Sequence, residues 1–178
     1  MTPSTQRVPD RPGTDPDEGT APDLGEVDPL ALENQVCFAL AVAARTVISV
    51  YKPLLEPMNL THPQYLVMLA LWQQAPRTVT ELGRLLDLDP GTLSPLLKRL
   101  EAAGYLTRER QPGNERALAV GLTPAGAALR QQAERIPPAI VERLDMELPE
   151  LRALHGALTE VIAAARRAQA DQVGAARP

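Results

Sequence analysis

The stretch TVTELGRLLDLDPGTLSPLLKRLEAAGYLTRER, Thr78 to Arg110, decides the fold of this chain. Thr78 and Glu81 have the spacing of a helix capping box, which predicts the start of a first short helix. Pro90 suits the first position of a second helix, and Gly104 suits its C-terminal end. The predicted buried positions are Leu82, Leu85 and Leu86 in the first helix and Leu93, Leu96, Leu97 and Leu100 in the second. Two short helices joined by a turn of about three residues are typical of a helix-turn-helix.

A β-hairpin is predicted directly after this stretch. Beyond Gly104 the apolar residues change from helical spacing to alternation, and the polar segment RERQPGNERA lies between the two alternating runs. Pro112, Gly113 and Asn114 form the tip of the predicted hairpin. Helix, turn, helix and hairpin together predict a winged helix, so the expected fold class is mainly α with a small β-hairpin wing.

Long apolar helices are predicted on both sides of the winged helix. From Leu30 to about Leu54 the apolar residues recur every three or four positions, and Thr61 begins another apolar helix. Thr123 opens a further helix, and residues 136–167 are again apolar at helical spacing. Stripes of this length need a partner surface that covers them.

Residues 1–29 differ in composition from the rest of the chain. They hold six prolines, and seven acidic residues against two arginines. Such a segment cannot bury enough apolar surface to offset the entropy of ordering, so a disordered acidic tail is predicted. The formal charge of the whole chain is −4, which leaves +1 for the remainder. That value neither supports nor excludes binding to nucleic acid.

Several classes of protein and site are not expected. The 178 residues fit one domain and a tail. No apolar run approaches the length of a membrane span and no secretory signal is recognisable, so a cytoplasmic location without membrane contact is predicted. Cys37 is the only cysteine and cannot form an internal disulfide. His62 and His155 are too scattered to indicate a metal site, and no cofactor is expected.

A face of small and basic residues is left for contact with DNA if the leucines of the second helix point inward. In a helix-turn-helix the second helix enters the major groove with its N-terminal end. This face consists of Gly91, Thr92, Ser94, Pro95, Lys98 and Arg99, and the wing adds Arg108, Arg110 and Arg116. The alternative is a winged helix that binds only protein, in which these side chains are a solvated surface.

Four segments in the same order resemble the MarR family of winged-helix regulators, and within it the OhrR branch of repressors that sense organic hydroperoxides. They are LENQVCFAL (32–40), YKPLLEPMNLTHPQYLVMLALW (51–72), LDPGTLSPLLKRLEAAG (88–104) and NERALAVGLTPAG (114–126). The resemblance implies a transcriptional repressor rather than an enzyme, over residues 30–170, with residues 171–178 as a disordered end. It also implies a homodimer formed by residues 30–57 and 124–167 around a DNA-binding winged helix at 76–122. A two-fold dimer of this kind binds an inverted-repeat operator in double-stranded DNA.

Cys37 is either a small buried core residue or a reactive thiol. With Asn34 as N-cap, Cys37 is expected at the third helical position, where the helix dipole favours a thiolate. The resemblance implies that Cys37 is the sensor of organic hydroperoxide. Because the chain has no second cysteine, the oxidised sulfur would be capped by a low-molecular-weight thiol. The resemblance also implies that Tyr51 of the partner subunit supports the thiolate.

Two positions depart from the pattern of the OhrR branch. His62 stands where that branch has a second supporting tyrosine, and Asn114 stands where an aspartate commonly precedes the wing arginine, here Arg116. A protonated His62 would lower the pKa of the thiol more than a phenol does, whereas a neutral one would only donate a hydrogen bond. Alternatively, His62 is a surface residue at the start of a helix.

Two other functions remain open at this point. The first is a MarR-type regulator that is released by a small aromatic ligand, with Cys37 only structural. The second is a thiol peroxidase that uses Cys37 catalytically. The peroxidase is disfavoured because the chain has neither a resolving cysteine nor an obvious cluster of activating arginines.

Overall fold

The computed structural model describes residues 28–111 and 114–175. Its helices are α1 (Val36–Leu55), α2 (His62–Gln73), α3 (Val79–Leu86), α4 (Pro90–Ala102), α5 (Pro124–Ala128), α6 (Arg130–Ala133), α7 (Ile136–Leu144) and α8 (Leu148–Ala175), and its strands are β1 (Arg77–Thr78), β2 (Leu106–Gln111) and β3 (Asn114–Leu122). The chain forms two compact units, which divide between Val42 and Ala43 inside α1. Most of the predicted acidic tail and the hairpin tip at Pro112 and Gly113 lie outside the described residues.

The helix-turn-helix forms through the predicted caps. The Thr78 hydroxyl accepts a hydrogen bond from the Glu81 backbone N–H at 3.2 Å, and the Glu81 carboxylate accepts one from the Thr78 backbone N–H at 2.7 Å. This reciprocal pair satisfies donors that the first turn of α3 leaves free. Asp87 ends α3 in the left-handed region with φ 54°. Asp89 then caps α4, so three residues separate the two helices as predicted.

The leucines of α4 anchor this helix in the core. Leu93, Leu97 and Leu100 are at most 1% exposed and join one hydrophobic cluster with Val67 and Met68 of α2. Burial of side chains of this size is the main source of stability in a small domain. In α3, Leu82 is buried as predicted, but Leu85 is 51% exposed, so its expected place in the buried face was wrong.

A three-stranded antiparallel sheet follows α4, in the order β1-β3-β2. The hairpin of β2 and β3 is the predicted wing, and β1 was not predicted. Arg77 of β1 lies opposite Val120 of β3, and Thr78 lies opposite Ala119. A strand of two residues is too short for alternation to reveal it, because its only signal is pairing with a distant segment.

Two helix limits differ from the prediction. The Asn34 side-chain amide donates to the Asp28 carbonyl at 3.1 Å instead of capping α1. The first backbone bond of α1 runs from the Ala39 N–H to the Gln35 carbonyl, so α1 starts one residue later and Cys37 is its second residue. At the other end of the chain, α8 continues to Ala175, so residues 171–175, which were expected to belong to a disordered end, are helical. Residues 176–178 lie outside the described part.

Many apolar side chains of α1 and α8 are exposed in the single chain. Phe38 and Ile48 of α1 are 38% and 42% exposed, and Leu154 and Ile162 of α8 are 48% and 49% exposed. The segment Val36–Met58 is long and apolar enough to cross a membrane, which was not expected from the sequence. A single helix of this kind is weak support for a membrane span, because helices that are covered in a protein interface have the same composition. Arg45 and Lys52 also interrupt its apolar run.

Gly126 in the first turn of α5 lies against the backbone at Tyr105. A Cβ atom at position 126 would lie 1.9 Å from the Tyr105 carbonyl oxygen. The Gly126 carbonyl also accepts a hydrogen bond from Trp72 Nε1 at 2.9 Å, and its N–H donates to the Thr123 hydroxyl at 3.0 Å. The turn after α4 and the start of α5 are therefore held together at a distance that only glycine permits.

We expect Gly126→Ala to lower the free energy of unfolding by about 2 kcal/mol or more, because the added methyl group displaces backbone rather than a flexible side chain. Gly121→Ala is the matched control, since its Cβ would meet Thr107 Oγ1 at 3.5 Å, an ordinary contact. Urea unfolding followed by circular dichroism measures both variants. Equal loss of stability in the two would contradict the close approach at Gly126.

Candidate nucleic-acid interface and cysteine site

The exposed side of α4 carries the residues that were predicted to contact DNA. Gly91, Thr92, Pro95, Lys98 and Arg99 are exposed, and Ser94 is half-buried. With 3.6 residues per turn, Gly91, Pro95 and Lys98 share the centre of this face. Ser94 lies on one edge and Thr92 and Arg99 on the other. The structure therefore brings all six predicted residues of α4 to one surface opposite the buried leucines.

The N-terminal tip of α4 is organised by Asp89. Its carboxylate accepts hydrogen bonds from the Thr92 backbone N–H at 2.9 Å and from the Thr92 hydroxyl at 2.6 Å. These bonds from Thr92 lower the pKa of the Asp89 carboxyl, so the cap stays ionised near neutral pH. The Thr92 hydroxyl can still accept a hydrogen bond, but its proton is engaged by Asp89. Sequence reasoning placed Thr92 on the face and missed this partner.

The three wing arginines have different surroundings. Arg108 donates from Nε to Glu101 Oε2 at 2.9 Å, and its Nη2 also contacts that oxygen. Arg110 is exposed, and within the described residues no carboxylate lies within ion-pair distance of it. Arg116 belongs to β3, but its side chain lies outside the described residues. Glu101 was not predicted as a partner of Arg108, because it lies seven positions earlier in the chain and on the other side of a turn.

Arg99 borders a groove at the start of α2. The groove is lined by Glu56, Asn59, Thr61 and Gln64 together with Arg99. Gln64 is 7% exposed, and its side-chain oxygen accepts from the backbone N–H and the hydroxyl of Thr61 at 2.8 and 2.9 Å. This capping box was only half predicted, since Thr61 was recognised as the cap and Gln64 was not. The groove places the Arg99 side of α4 next to the N-terminal end of α2.

Cys37 is exposed in the first turn of α1. Cys37 is the second residue of α1, whereas it was expected to be the third. Both positions belong to the first turn, where the helix leaves its backbone N–H groups free. The Gln35 side chain just before the helix is turned back to the Pro29 carbonyl, with an N···O distance of 2.5 Å. A buried core role for Cys37 within its own chain is therefore excluded by its exposure.

Tyr51 and His62 form an aromatic pair in the second unit. Their ring centroids are 5.0 Å apart in an edge-to-face arrangement, and Tyr65 extends the cluster, with its ring centroid 6.2 Å from that of Tyr51. Burial raises the pKa of Tyr51 and lowers the pKa of His62. Desolvation thus favours a neutral phenol and a neutral imidazole near pH 7. His62 is the first residue of α2 and is half-buried there.

A second groove lies between α2 and the helices α6 and α7. Tyr65, Leu69 and Trp72 line one side, and Arg130, Glu134 and Pro137 line the other. Its volume is about 230 Å³. Pockets for drug-sized ligands usually measure about 300–1,000 Å³ and enclose most of the ligand, so this open groove suits only a small aromatic molecule.

Comparison with known proteins gives a consistent result. Residues 60–118 match the model of the MarR family. The organic hydroperoxide resistance transcriptional regulator of Bacillus subtilis is 43% identical over 131 residues, which cover 74% of this chain and 89% of that protein. The structure of reduced AbfR bound to DNA matches with 37% identity and a TM-score of 0.67, over 76% of this chain and 93% of that one. AbfR of Staphylococcus epidermidis matches with 36% identity and a TM-score of 0.62, over 76% and 94%.

The lowered pKa of His62 predicts a pH dependence of stability. An unfolded chain takes up the imidazole proton near pH 6.5, whereas the folded chain requires a lower pH. Between these two pKa values the unfolded chain binds more protons, so the free energy of unfolding falls as the pH falls below about 6.5. The contribution is fully present above that pH, because both states are then neutral at this position.

We expect His62→Phe, which keeps an aromatic ring beside Tyr51 but cannot titrate, to reduce this loss of stability on acidification. Urea midpoints of wild type and variant, compared at about pH 7.5 and about pH 5.5, measure the difference between the two proteins. Carboxylates that titrate in the same range affect both proteins alike. An identical change of midpoint in the two would show that burial does not hold His62 neutral.

Proposed function

The chain belongs to the MarR family of transcriptional regulators, and we propose that it is a DNA-binding repressor whose operator is released when an organic hydroperoxide oxidises Cys37. The observation that carries the proposal is the exposed Cys37 in the first turn of α1. It is the only cysteine of a chain that is 43% identical to an organic hydroperoxide resistance regulator. The regulators it resembles are not enzymes, and catalytic peroxide removal is not part of the proposal.

DNA contact is assigned to the exposed face of α4 and to the wing. In this assignment Gly91 and Pro95 allow close approach to the major groove, Thr92 and Ser94 face bases or phosphates, and Lys98 and Arg99 bind phosphates. Arg110 and Arg116 extend the contact from the wing toward the adjacent minor groove. Support comes from the exposure of the α4 residues and of Arg110. It also comes from the DNA-bound structure of AbfR, to which this chain is similar.

A homodimer accounts for the exposed apolar side chains of the first and last helices. Val36 and Phe38 at the start of α1, and Leu154, Val161 and Ile162 along α8, are between 38% and 66% exposed. Large apolar side chains that are exposed repeatedly along one helix are typical of a surface that a partner covers. A second copy of the chain is the proposed occupant, through residues 30–57 and 124–167. Two recognition helices related by a two-fold axis then require an inverted-repeat operator.

The proposed chemistry uses one sulfur and two co-reactants. The Cys37 thiolate attacks the terminal oxygen of the hydroperoxide, the O–O bond breaks, and the alkoxide takes a proton and leaves as an alcohol. The sulfenic acid then condenses with a low-molecular-weight thiol, which forms a mixed disulfide and releases water. A cytoplasmic location fits this scheme, because that compartment supplies such thiols and keeps Cys37 reduced between signals.

Tyr51 and His62 of the partner subunit are proposed to support the thiolate. Their 5.0 Å edge-to-face contact holds both rings in one cluster, so the two polar groups can act on the same neighbour. Because burial lowers the pKa of His62, the ring acts as a neutral hydrogen-bond donor and not as a cation. The thiolate is then stabilised by hydrogen bonds and by the helix N-terminus together.

A second candidate is a regulator that is released by a small aromatic ligand, with Cys37 only structural. The groove beside Tyr65 and Trp72 is the observation that favours it, since aromatic walls suit an aromatic guest. Its small, open shape makes it the weaker candidate. A peroxide response that depends on Cys37 separates the two functions.

We expect reduced wild type and Cys37→Ser to bind equally well to a duplex that wild type selects from a random-sequence pool. Addition of cumene hydroperoxide with a small thiol should release wild type and leave Cys37→Ser bound, because serine oxygen cannot form a sulfenic acid. Fluorescence anisotropy measures both. Hydrogen peroxide at equal concentration serves as the control for the class of oxidant. Release of the serine variant would overturn the sensing role, and failure of both proteins to bind any duplex would overturn the DNA role.

A further inference from the structure

We infer that Arg108 is a positioning residue that holds the wing against the recognition helix α4 through Glu101, and that it does not itself bind DNA. This inference rests on the proposed DNA-binding function and refines it. From the sequence alone Arg108 belongs with Arg110 and Arg116 to the basic residues of the wing. In the structure Arg108 is paired with Glu101, whereas Arg110 is exposed and has no carboxylate within ion-pair distance among the described residues.

The pair of Glu101 and Arg108 joins α4 to β2. The angle between these two elements sets how the recognition helix and the wing can contact DNA together. Glu101 lies in the last turn of α4, and Arg108 is the third residue of β2. Nε and Nη2 of Arg108 both contact one oxygen of Glu101, the former at 2.9 Å. The side chains are 23% and 37% exposed. A planar guanidinium that donates twice to one carboxylate oxygen restricts rotation more than a single-point ammonium contact would.

Backbone geometry between the two residues brings them together. Gly104 adopts φ 77° just past the end of α4, and the Tyr105 N–H donates back to the Leu100 carbonyl at 3.0 Å. The Thr123 hydroxyl donates to the Gly104 carbonyl at 2.6 Å and fixes the turn from the far end of the hairpin. β2 therefore runs back beside α4, and its residues Leu106, Arg108 and Arg110 share one face. Leu106 is buried, Arg108 is half-buried and Arg110 is exposed.

The position of Glu101 also argues for a structural pair. A carboxylate in the last turn of a helix is disfavoured by the helix dipole, and it is additionally unfavourable near DNA. Hydrogen bonds from Arg108 lower the pKa of Glu101, so the carboxylate stays ionised and cancels the arginine charge. On the α4 helix Glu101 falls on the same edge as Ser94. Arg108 thus ties the wing to that edge. Arg110, two residues further along β2, has no ion-pair partner among the residues that the structure describes.

The experiment uses variants for which the two roles of Arg108 predict opposite signs. If Arg108 binds phosphate, Glu101→Ala frees it and removes a negative charge, so affinity for the selected duplex should rise. If Arg108 positions the wing, Glu101→Ala should weaken binding by about three- to fivefold despite the lost negative charge. Glu109→Ala, an exposed carboxylate on the other face of β2, is the matched charge control. It should not weaken binding.

The double variant with Glu101→Arg and Arg108→Glu completes the test. We expect it to bind within about twofold of wild type with the same salt slope, because the swapped pair again joins α4 to β2. Arg110→Ala, which removes one proposed contact per subunit, should instead lower the slope of log K against log salt by about 1.8 per dimer. Loss of binding in the swapped variant, or tighter binding by Glu101→Ala, overturns the inference.

Thermal unfolding of each variant separates loss of fold from loss of wing position. If Glu101→Ala does not fold, Glu101→Gln takes its place, since it keeps the side-chain shape and removes the charge. Rescue of affinity by the charge swap is a readout that a general loss of stability would not produce. If wild type binds no selected duplex while it unfolds cooperatively, the proposed DNA function fails. That outcome differs from one in which wild type binds and the swapped variant does not.

Discussion

Burial of one leucine stripe of α4 determines how this helix and the wing beside it are oriented. Leu93, Leu97 and Leu100 are almost completely removed from solvent against α2 and the rest of the core. A helix that buries one side must present the opposite side, so this packing alone sets which residues of α4 face outward. The packing of the core therefore determines which residues of α4 are available to contact a major groove. The Glu101–Arg108 pair and the turn at Gly104 then relate the wing to the helix that the core has oriented.

Features that depend on neighbouring residues could be predicted from the sequence. Contacts between segments that are distant in the sequence could not. The caps Thr78 and Thr123, the proline that opens α4 and the glycine after α4 are recognisable from neighbouring residues, so the helix-turn-helix and its limits were predictable. The strand β1, the partner of Arg108 and the contact of Gly126 with Tyr105 depend on segments that only folding brings together. Asn34 was misjudged as a cap because its amide has a second acceptor, the Asp28 carbonyl, which competes with the helix.

At the cysteine site, the resemblance predicts which residues take part, and the structure gives their exposure and contacts. Sequence alone left Cys37 as either a core residue or a reactive thiol, and its exposure in the first turn of α1 removes the first possibility within its own chain. The pairing of Tyr51 with His62 could be suspected only from the resemblance, since eleven positions separate them. The partial burial of His62 in the structure lowers its pKa, which favours a neutral hydrogen-bond donor over a cation in the proposed switch.

In the proposed switch the oxidation state of the Cys37 sulfur decides whether the protein stays on DNA. The most direct measurement follows both quantities in the same samples while substoichiometric organic hydroperoxide and a small thiol are added to the DNA-bound protein. Intact mass spectrometry gives the fraction of chains with a thiol adduct on Cys37, and anisotropy gives the fraction of DNA released. We expect the fraction of DNA released to rise in step with the fraction of chains that carry the adduct. Protein that carries the adduct on every Cys37 and remains fully bound would contradict it.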